Sequence, residues 1–448
     1  METNDWNDAE RRVERAQELF EQHKWQEALE ELRAATSINP YNASWFFNIG
    51  LTLDELGRFE EAIEAYRQAL EIEPDDRQAI HHLGLDFHQV GRFQEALRTF
   101  ERLQSLDPTF EPSYCGRILT YTELGEHDRA EEMFYLARLY KEHCDDCFYN
   151  MGISLSARGQ YDKAIYCFKK IVDDADDWPE VQFRLAKAFH LKGDHEQARR
   201  HYVLGLRQDP GNVDSLLDLS ELLIEMKRLD EAGEKIRRAI ELAPEQPAAH
   251  CCHGRWLLDR DRIDEAIAAL TRALELDPTC PGAHLHLGAA HLKRAEHELG
   301  KRHLRGELLL RPDDPVTLRK LGNLLLDAGE SRAAVACFKR LTQLRTDDLG
   351  AWLNLGVAQF VRARYDDGLA SCEQALRIDP RCVMAYHNLA LAYGQMREFD
   401  EALSFARRGL KIAPRDVQLQ RLEFRLRVLR VRELFLRGLR RLVRPRRS

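Results

Sequence analysis

The sequence contains no long hydrophobic run and few of the residues that interrupt regular structure. No apolar stretch reaches about 18 residues, the length that a membrane-spanning helix requires. Only 15 prolines and 25 glycines occur among 448 residues, and 44% of the residues are hydrophobic. Collagen-like, low-complexity and disordered classes are therefore excluded, because the chain has enough apolar side chains to build a core. The acidic first ten residues also lack the cationic and apolar segments of a secretory signal.

Signatures of catalysis are missing as well. The chain contains no G-x-x-x-x-G-K followed by Ser or Thr, no G-x-S-x-G and no H-E-x-x-H. We therefore predict a protein that is not an enzyme and that carries no cofactor. Its ten cysteines show no regular pairing, which is typical of the reduced thiols of a cytosolic protein, and we expect a cytoplasmic location.

A period of 34 residues runs through most of the chain. Steps of 34 from Ala28 meet alanine or glycine every time up to Ala402, with no insertion. If this residue is position 20 of each repeat, twelve repeats cover 9–416 and begin at residues 9, 43, 77, 111, 145, 179, 213, 247, 281, 315, 349 and 383. Such a period indicates an array of small stacked elements rather than several independent domains.

Recurrent residues within the period indicate two helices per repeat. Position 8 is small in eleven repeats, as at Gly50 and Gly84, which lets neighbouring helices pack closely. Position 15 is glycine in six repeats, where a left-handed residue ends the first helix, and position 32 is proline in nine, which ends the second. Between these breaks apolar residues recur at helical spacing, in repeat 2 at Phe46, Ile49, Leu53, Ile63, Tyr66 and Leu70.

Together these features resemble the tetratricopeptide repeat over residues 9–416. The resemblance implies an all-α fold, a right-handed superhelical α-solenoid of helix-turn-helix repeats whose first helices line a concave groove that binds a peptide or another protein. Local departures are Ile118 at position 8 and Glu307 at position 27, where the family has small residues. We predict an N-terminal extension at 1–8, the twelve repeats at 9–416, and a capping helix with an arginine-rich tail at 417–448.

The groove face of each first helix should carry positions 2, 5, 6, 9, 12 and 13, which share one side of the helix. Position 6 is asparagine at Asn48, Asn150, Asn354 and Asn388. An amide offers a donor and an acceptor, so it can hold an extended peptide backbone. This pattern resembles the asparagine ladder of the O-linked N-acetylglucosaminyltransferase array, here interrupted by residues such as Arg184. The alternative interpretation is that these amides are merely solvated.

A partial resemblance to the carboxylate clamp of chaperone-binding tetratricopeptide domains lies in repeats 10 to 12. Arg319, Asn323 and Asn354 match its first three positions, whereas Met384 and Asn388 replace the last two basic residues. Too few basic residues are therefore present to bind a terminal carboxylate, and we do not expect a full clamp.

Charge along the predicted groove is uneven. Repeat 7 presents an acidic block of Asp214, Asp218, Glu221 and Glu225, and repeats 8 to 10 present the cations Arg255, Lys293, Arg319 and Lys320. These residues either recognise a partner or form solvated faces. The predicted groove residues are Asn48, Asn150, Arg184, Asp218, Glu221, Arg255, Arg319, Lys320, Asn323, Asn354 and Asn388.

Two stretches of the sequence that contain cysteine and histidine are candidates for a metal site. Residues 250–303 contain seven of the 17 histidines together with Cys251 and Cys252, but at most two of these have matching register, and zinc needs four ligands. The single C-x-x-C, Cys144 to Cys147, has no second copy and stands at a repeat junction. We therefore predict no metal site, and the role of 250–303 stays open.

The last 32 residues differ sharply from the rest. They contain eleven arginines, two glutamates and no lysine, a net charge of +9 that leaves −18 on residues 1–416. Leu419, Leu422 and Leu426 belong to one apolar stripe, which favours a cap over the last repeat. A second stripe includes Val428 and Phe435. We expect either a cap alone or a cap that also docks residues 430–448 on an anionic membrane or nucleic acid, through Arg437, Arg440, Arg441, Arg444, Arg446 and Arg447.

The sequence therefore favours a non-catalytic protein–protein interaction scaffold that binds a peptide or protein segment in its groove. One alternative is a peripheral adaptor that docks on an anionic membrane or nucleic acid through the arginine-rich C-terminus. A second alternative is a substrate-selecting partner of a separate glycosyltransferase. Fold-level resemblance does not identify the partner.

Overall fold

The computed structural model describes residues 3–172 and 178–443, and the side chains of residues 6–172 and 178–435. Within these ranges the regular structure consists of 25 α-helices and no strand. The chain divides into two compact units, Met1–Leu222 and Leu223–Ser448. The all-α class predicted from the 34-residue period is confirmed.

Helices of the first compact unit follow one another as antiparallel pairs, one pair per predicted repeat. They are α1 (Thr3–Glu21), α2 (Trp25–Ile38), α3 (Ala43–Glu55), α4 (Phe59–Ile72), α5 (Arg77–Gln89), α6 (Phe93–Leu106), α7 (Pro112–Glu123), α8 (His127–Tyr140), α9 (Asp145–Ala157), α10 (Tyr161–Val172), α11 (Pro179–Lys192) and α12 (His195–Gln208). Helix α13 (Val213–Glu225) contains the boundary between the compact units. Helix α1 begins at Thr3, so the predicted extension at 1–8 is largely part of this helix.

The second compact unit continues the same alternation and ends in one long helix. Its helices are α14 (Leu229–Leu242), α15 (Pro247–Asp259), α16 (Ile263–Leu276), α17 (Ala283–Lys293), α18 (His297–Leu310), α19 (Pro315–Asp327), α20 (Ser331–Leu344), α21 (Leu349–Val361), α22 (Tyr365–Ile378), α23 (Val383–Gln395), α24 (Phe399–Ile412) and α25 (Val417–Val443). Leu419, Leu422 and Leu426 of α25 are buried in one cluster with residues of α23 and α24.

The turn between the two helices of each repeat has the same backbone conformation whether or not glycine is present. Six glycines at position 15 have positive φ, for example 90° at Gly193. The other six repeats place a different residue there, and these residues also have positive φ: His23, Lys227, Asp261, Ala295, Ala363 and Arg397, between 54° and 65°. Side chains tolerate this region poorly, so the packing of the two helices imposes the conformation on the residue.

Small residues at position 8 make room for a side chain of the second helix. A Cβ atom at Gly84 would lie 2.6 Å from the ring of Phe100, which is completely buried. In repeat 4 the bulky Ile118 takes position 8 and is itself completely buried. Gly116, two residues earlier, makes room for the ring of Phe100 from the preceding repeat, so α7 packs closely on α6.

None of the helices in the described part of the chain is both long and apolar enough to cross a bilayer.

Candidate functional site

The candidate site is the face of the first helices that carries positions 2, 5, 6, 9, 12 and 13, which we call the inner face. In the first compact unit it begins with an apolar pocket of about 290 Å³. The pocket walls come from α1, α2 and α3: Val13, Ala16, Gln17, Phe20, Leu32, Asn48, Leu51 and Thr52. The volume lies near the lower end of the range for ligand pockets, about 300 Å³, and suits one apolar side chain. The half-buried amide of Asn48 is the predicted groove residue at this pocket.

Beyond the pocket, a carboxylic acid pair lies between α3 and α5. The carboxyl groups of Asp54 and Asp86 interact with each other, and only 3% of Asp86 is exposed. Burial, followed by the charge of Asp54, raises the pKa of Asp86 to about 8. The hydroxyl of Tyr66 donates to Oδ2 of Asp54 at 2.6 Å, and the ring of His82 stacks on Tyr66. Near neutral pH the pair therefore retains a proton that two separated carboxyl groups would release.

Asn150 and Arg184 both contact the preceding repeat. The Asn150 amide donates to the backbone oxygen of Cys115 at 3.2 Å. Nε of Arg184 donates to the hydroxyl of Tyr149 at 3.3 Å and pairs with Glu180 at 3.0 Å. Two of the predicted groove residues thus already bond to neighbouring helices, which fixes the register of repeats 4 to 6.

Asp218 lies in a small polar cluster with the preceding repeat. It accepts from Nζ of Lys187 at 2.8 Å, and the hydroxyl of Tyr202 donates to it at 3.3 Å. Burial, followed by the charge of Asp218, raises the pKa of Tyr202. Glu221, one turn away on α13, is exposed. The acidic block predicted from repeat 7 is therefore partly neutralised by Lys187.

In the second compact unit, repeats 8 to 10 form a basic strip. Arg255, with Nη2 at 3.5 Å from Glu225, is half-buried, and Lys320 is exposed. Burial, followed by the charges of Arg255 and Lys320, lowers the pKa of His286 to about 3. His286 therefore lies between two cations as a neutral imidazole. It was not among the predicted groove residues, although its position in the repeat is the same as that of Lys320.

The predicted clamp residues are only partly available. Arg319 forms an ion pair with Asp348, whose carboxylate also caps α21 by accepting from the backbone nitrogen of Ala351 at 2.9 Å. The Asn354 amide donates to Oδ1 of Asn323 at 3.2 Å, which makes an exposed polar bridge between repeats 10 and 11. Asn388 is 9% exposed. Since Asp348 neutralises Arg319, even less positive charge is available to bind a terminal carboxylate than the sequence indicated.

Profiles described as "Tetratricopeptide repeat" match residues 43–76, 149–212, 191–250, 319–381 and 382–413, and one described as "TPR repeat" matches 254–294. Together these matches cover more than half of the chain. It belongs to the tetratricopeptide repeat family. No curated protein matched the chain.

Solved structures of the same type were also found. The Cut9-Hcn1 hetero-tetramer of the APC/C is 16% identical, with a TM-score of 0.46, and covers 92% of this chain and 95% of that chain. Yeast Tom70 is 15% identical, with a TM-score of 0.46, and the match covers 95% of this chain and 96% of the Tom70 chain. YrrB, titled a TPR protein with an unusual peptide-binding site, is 19% identical with a TM-score of 0.36 and covers 42% and 96%. At such identities and scores these likenesses carry no functional information.

The histidine-rich stretch of the tetratricopeptide array forms a stack rather than a tetrahedral set. Nδ1 of His284 lies 2.9 Å from Nδ1 of His303, whose ring also stacks on His291. His291 in turn lies 2.6 Å from Glu296. Burial lowers the pKa of His303 to about 4, and the neighbouring histidines contribute to this shift. These contacts keep His303 neutral and indicate packing within repeat 9.

Glu307, noted as a departure from the family pattern, is completely buried and caps a helix. Its carboxylate accepts from the backbone nitrogens of Gly282 and Leu285, both at 3.2 Å, at the start of α17. Nε of Arg311 lies 3.4 Å from the same carboxylate. No side chain at position 282 can cap α17, because that residue is glycine, so Glu307 supplies the acceptor from the next helix.

One group of side chains that the sequence analysis dismissed comes together at the junction of repeats 4 and 5. The ligand-forming atoms of Glu111, Cys115, Cys144 and Cys147 all lie within 4.8 Å of one another. Cys144 and Cys147 belong to the single C-x-x-C. Cys115 lies 29 residues before Cys144, nearly one period, and this spacing was the signal that could have revealed the cluster.

Helix α25 presents a second apolar stripe to solvent. Phe424, Val428, Val431 and Phe435 are each more than half exposed, and exposed arginines such as Arg425 and Arg432 lie between them. Of the predicted docking residues, Arg437, Arg440 and Arg441 lie where the structure describes the helix but not the side chains. Arg444, Arg446 and Arg447 lie outside the described residues.

Proposed function

We propose that this chain is a non-catalytic protein–protein interaction scaffold that holds an extended segment of another protein on the inner face of its repeats. The tetratricopeptide architecture supports the general role of a scaffold. The observation that carries the finer proposal is the apolar pocket at Val13, Phe20 and Leu51, which opens on the inner face beside the amide of Asn48.

The pocket provides an anchor for one side chain of the partner. Its apolar walls favour a leucine- or phenylalanine-sized group, and its position between α1 and α3 places the rest of the partner along the first helices. Burying such a side chain contributes about 1.5–3 kcal/mol. That contribution corresponds to a factor of roughly 10 to 100 in affinity.

Polar groups on the inner face complement the backbone and the charges of the partner. Asn48 in the first compact unit and the Asn323–Asn354 bridge in the second offer donors and acceptors without regard to side-chain identity. In the second compact unit the strip of Arg255, His286 and Lys320 favours acidic residues in the segment that binds there. We propose that the groove residues act in this way, with Asp218 and Glu221 favouring basic residues.

The pocket can be tested by selecting peptides from a display library on the purified full-length chain. We expect the selected peptides to share one large apolar residue, and Leu51→Glu to weaken their binding at least tenfold in fluorescence anisotropy, because a carboxylate would enter the pocket. Leu106→Glu is the matched control, because Leu106 is an exposed leucine on a second helix, and it should leave affinity unchanged.

Peptides that bind Leu51→Glu as tightly as the unmodified chain would contradict the anchor. A double substitution Asn323→Ala with Asn354→Ala then distinguishes the inner face from other surfaces. If neither variant affects any selected peptide, binding on the inner face is refuted altogether.

A second candidate function rests on the exposed stripe of α25. Phe424, Val428, Val431 and Phe435 follow one another at spacings of four, three and four residues, so they share one side of the helix. Arginines flank this side, which is typical of a helix that lies in the interface of an anionic membrane. We propose that α25 both covers the last repeat and attaches the scaffold to such a surface. The irregularly spaced cysteines favour a reducing compartment, so we place the protein in the cytoplasm.

The membrane role predicts salt-sensitive binding to anionic vesicles. The full chain should sediment with phosphatidylserine-containing vesicles and not with pure phosphatidylcholine vesicles, and the bound fraction should fall as salt is raised. Phe424→Asp combined with Phe435→Asp should lower binding at least tenfold, whereas Leu309→Asp, at an exposed leucine of α18, should not. Vesicle binding that survives the double substitution would eliminate the membrane role, as would a preference for duplex DNA over vesicles.

A further inference from the structure

We propose that Glu111, Cys115, Cys144 and Cys147 form a zinc site that joins repeats 4 and 5. The four ligand atoms lie within 4.8 Å of one another, and they belong to the first compact unit. Three thiolates and one carboxylate make a closed, four-ligand set of the kind that structural zinc sites use. Cys115 occupies position 5 of repeat 4, so the site borders the inner face at this repeat.

Local structure places the four side chains in two pairs. Glu111 and Cys115 are four residues apart at the start of α7, so they lie on one side of its first turn. Cys144 is the N-terminal cap of α9, and Cys147 lies in the first turn of that helix. Helix α9 packs against both α7 and α8, which brings the two pairs together.

The distances fit a tetrahedral ion after a small adjustment. Ligands bound to zinc at about 2.3 Å in a tetrahedron lie about 3.8 Å from one another. Sγ of Cys115 lies 3.4 Å from Sγ of Cys144 and 2.7 Å from Sγ of Cys147. Zinc would therefore move the sulfur of Cys147 about 1 Å away from that of Cys115, which a change of side-chain rotamer achieves.

Several groups around the cluster stabilise negative charge. The N-termini of α7 and α9 both point toward the cluster, and their helix dipoles favour negative charge there. The backbone nitrogen of Cys147 donates to the sulfur of Cys144 at 3.1 Å. Nζ of Lys141 lies 2.6 Å from the carboxylate of Glu111 and offsets part of the charge of the ligand set.

Burial and ligand type select the metal. The three cysteines are at most 7% exposed, while the side chain of Glu111 is 20% exposed, so an ion can enter from the side of Glu111. Soft thiolates in a tetrahedral arrangement select zinc over magnesium or calcium, which require oxygen ligands. Asn150 donates to the backbone oxygen of Cys115 and thereby holds one ligand-bearing turn in place.

The array contains a natural comparison for this cluster. Cys251 and Cys280 occupy in repeat 8 the positions that Cys115 and Cys144 occupy in repeat 4, and their side chains are hydrogen-bonded. The positions equivalent to Glu111 and Cys147 are Pro247 and Ala283. Two thiols alone do not complete a zinc site, so this pair serves as a matched control.

Metal content and cobalt spectroscopy test the proposal on the full-length reduced chain. After incubation with zinc under anaerobic conditions and gel filtration, we expect one zinc ion per chain by mass spectrometry. Cobalt in its place should give the intense visible bands of a tetrahedral thiolate complex. Cys115→Ser should lower zinc affinity by more than about 100-fold, since even the loss of an outer-shell partner costs roughly 10- to 100-fold. Cys251→Ser should bind zinc like the unmodified chain.

A conservative variant distinguishes the loss of a zinc ligand from the loss of folding. Glu111→Gln leaves all three cysteines in place and should weaken zinc binding while retaining the helical circular dichroism of the unmodified chain. The proposal is overturned if the reduced chain retains no zinc, if the cobalt spectrum is octahedral, or if folded Cys115→Ser retains a full equivalent. Zinc lost equally from Cys251→Ser would overturn it too, because the ion would then not be at this cluster.

Discussion

Replacing Asp86 by asparagine should stabilise the first compact unit at pH 8 by a few kcal/mol and leave its stability near pH 4 almost unchanged. The folded-state pKa of Asp86, about 8, lies above the ordinary value of 3.8 because the carboxyl is buried beside Asp54. Its contribution to stability is therefore complete below pH 4 and is lost as the pH rises toward 8. One pKa unit corresponds to about 1.4 kcal/mol, so the expected effect is on the order of a few kcal/mol. An asparagine retains a donor toward Asp54 and carries no proton to lose.

Urea unfolding at a series of pH values measures this effect. The pKa of the neighbouring His82 is lowered by burial, so its contribution is lost as the pH falls and opposes that of Asp86. The difference between Asp86→Asn and the unmodified chain therefore reports on Asp86 more directly than either profile alone. Asp75→Asn, at a side chain that is 77% exposed, should leave the profile unaltered. A variant less stable than the unmodified chain at both ends of the range would show that the carboxyl group of Asp86 is required in either protonation state.

Removing the carboxylate of Glu307 should destabilise the second compact unit by about 3–5 kcal/mol, the cost of leaving one partner of a buried charged contact alone. Glu307→Ala deletes the acceptor for the nitrogens of Gly282 and Leu285, and these donors are then buried without a partner. It also leaves Arg311 without its nearby carboxylate. Glu307→Gln keeps one acceptor oxygen and should lose roughly half as much.

Two measurements separate the cap from a general loss of packing. Urea unfolding gives the change in free energy, and hydrogen exchange should show the Leu285 amide losing protection more than amides at the C-terminal end of α17. Glu298→Ala, at a side chain of the same helix α18 that is 87% exposed, is the control and should change little. Equal stability of Glu307→Ala and the unmodified chain would mean that water replaces the carboxylate at the start of α17.

The periodic part of the fold could be predicted because each repeat is specified locally. Helix ends follow from position 15 and from the prolines, and the buried side follows from apolar spacing, as Ile49, Leu53 and Ile63 illustrate. The family was recognisable for the same reason. At six repeats the turn forms without glycine, which local rules do not predict, because the required φ at residues such as Lys227 is imposed by the packed helices.

Contacts between neighbouring repeats were the part that could not be predicted. Glu307 appeared to be a misplaced charge until its distance to the start of α17 was known, and nothing in the sequence indicated that Gly116 packs on Phe100 of the preceding repeat. Cys115 and Cys147 are 32 residues apart, a spacing that indicates adjacent repeats, but only the packing of the helices shows that their sulfur atoms meet. Such pairs depend on side-chain directions that a single sequence does not encode in any fixed spacing.

The polar bridges of the inner face have a mechanical consequence. Two contacts, Lys187 with Asp218 and Asn323 with Asn354, each join two consecutive first helices. A peptide that binds one member of such a pair breaks the contact between those two helices. The affinity for a peptide and the rigidity of the array therefore oppose each other. A tightly bound segment makes the array more flexible at the repeats that it contacts, and the array without a peptide is the more rigid one.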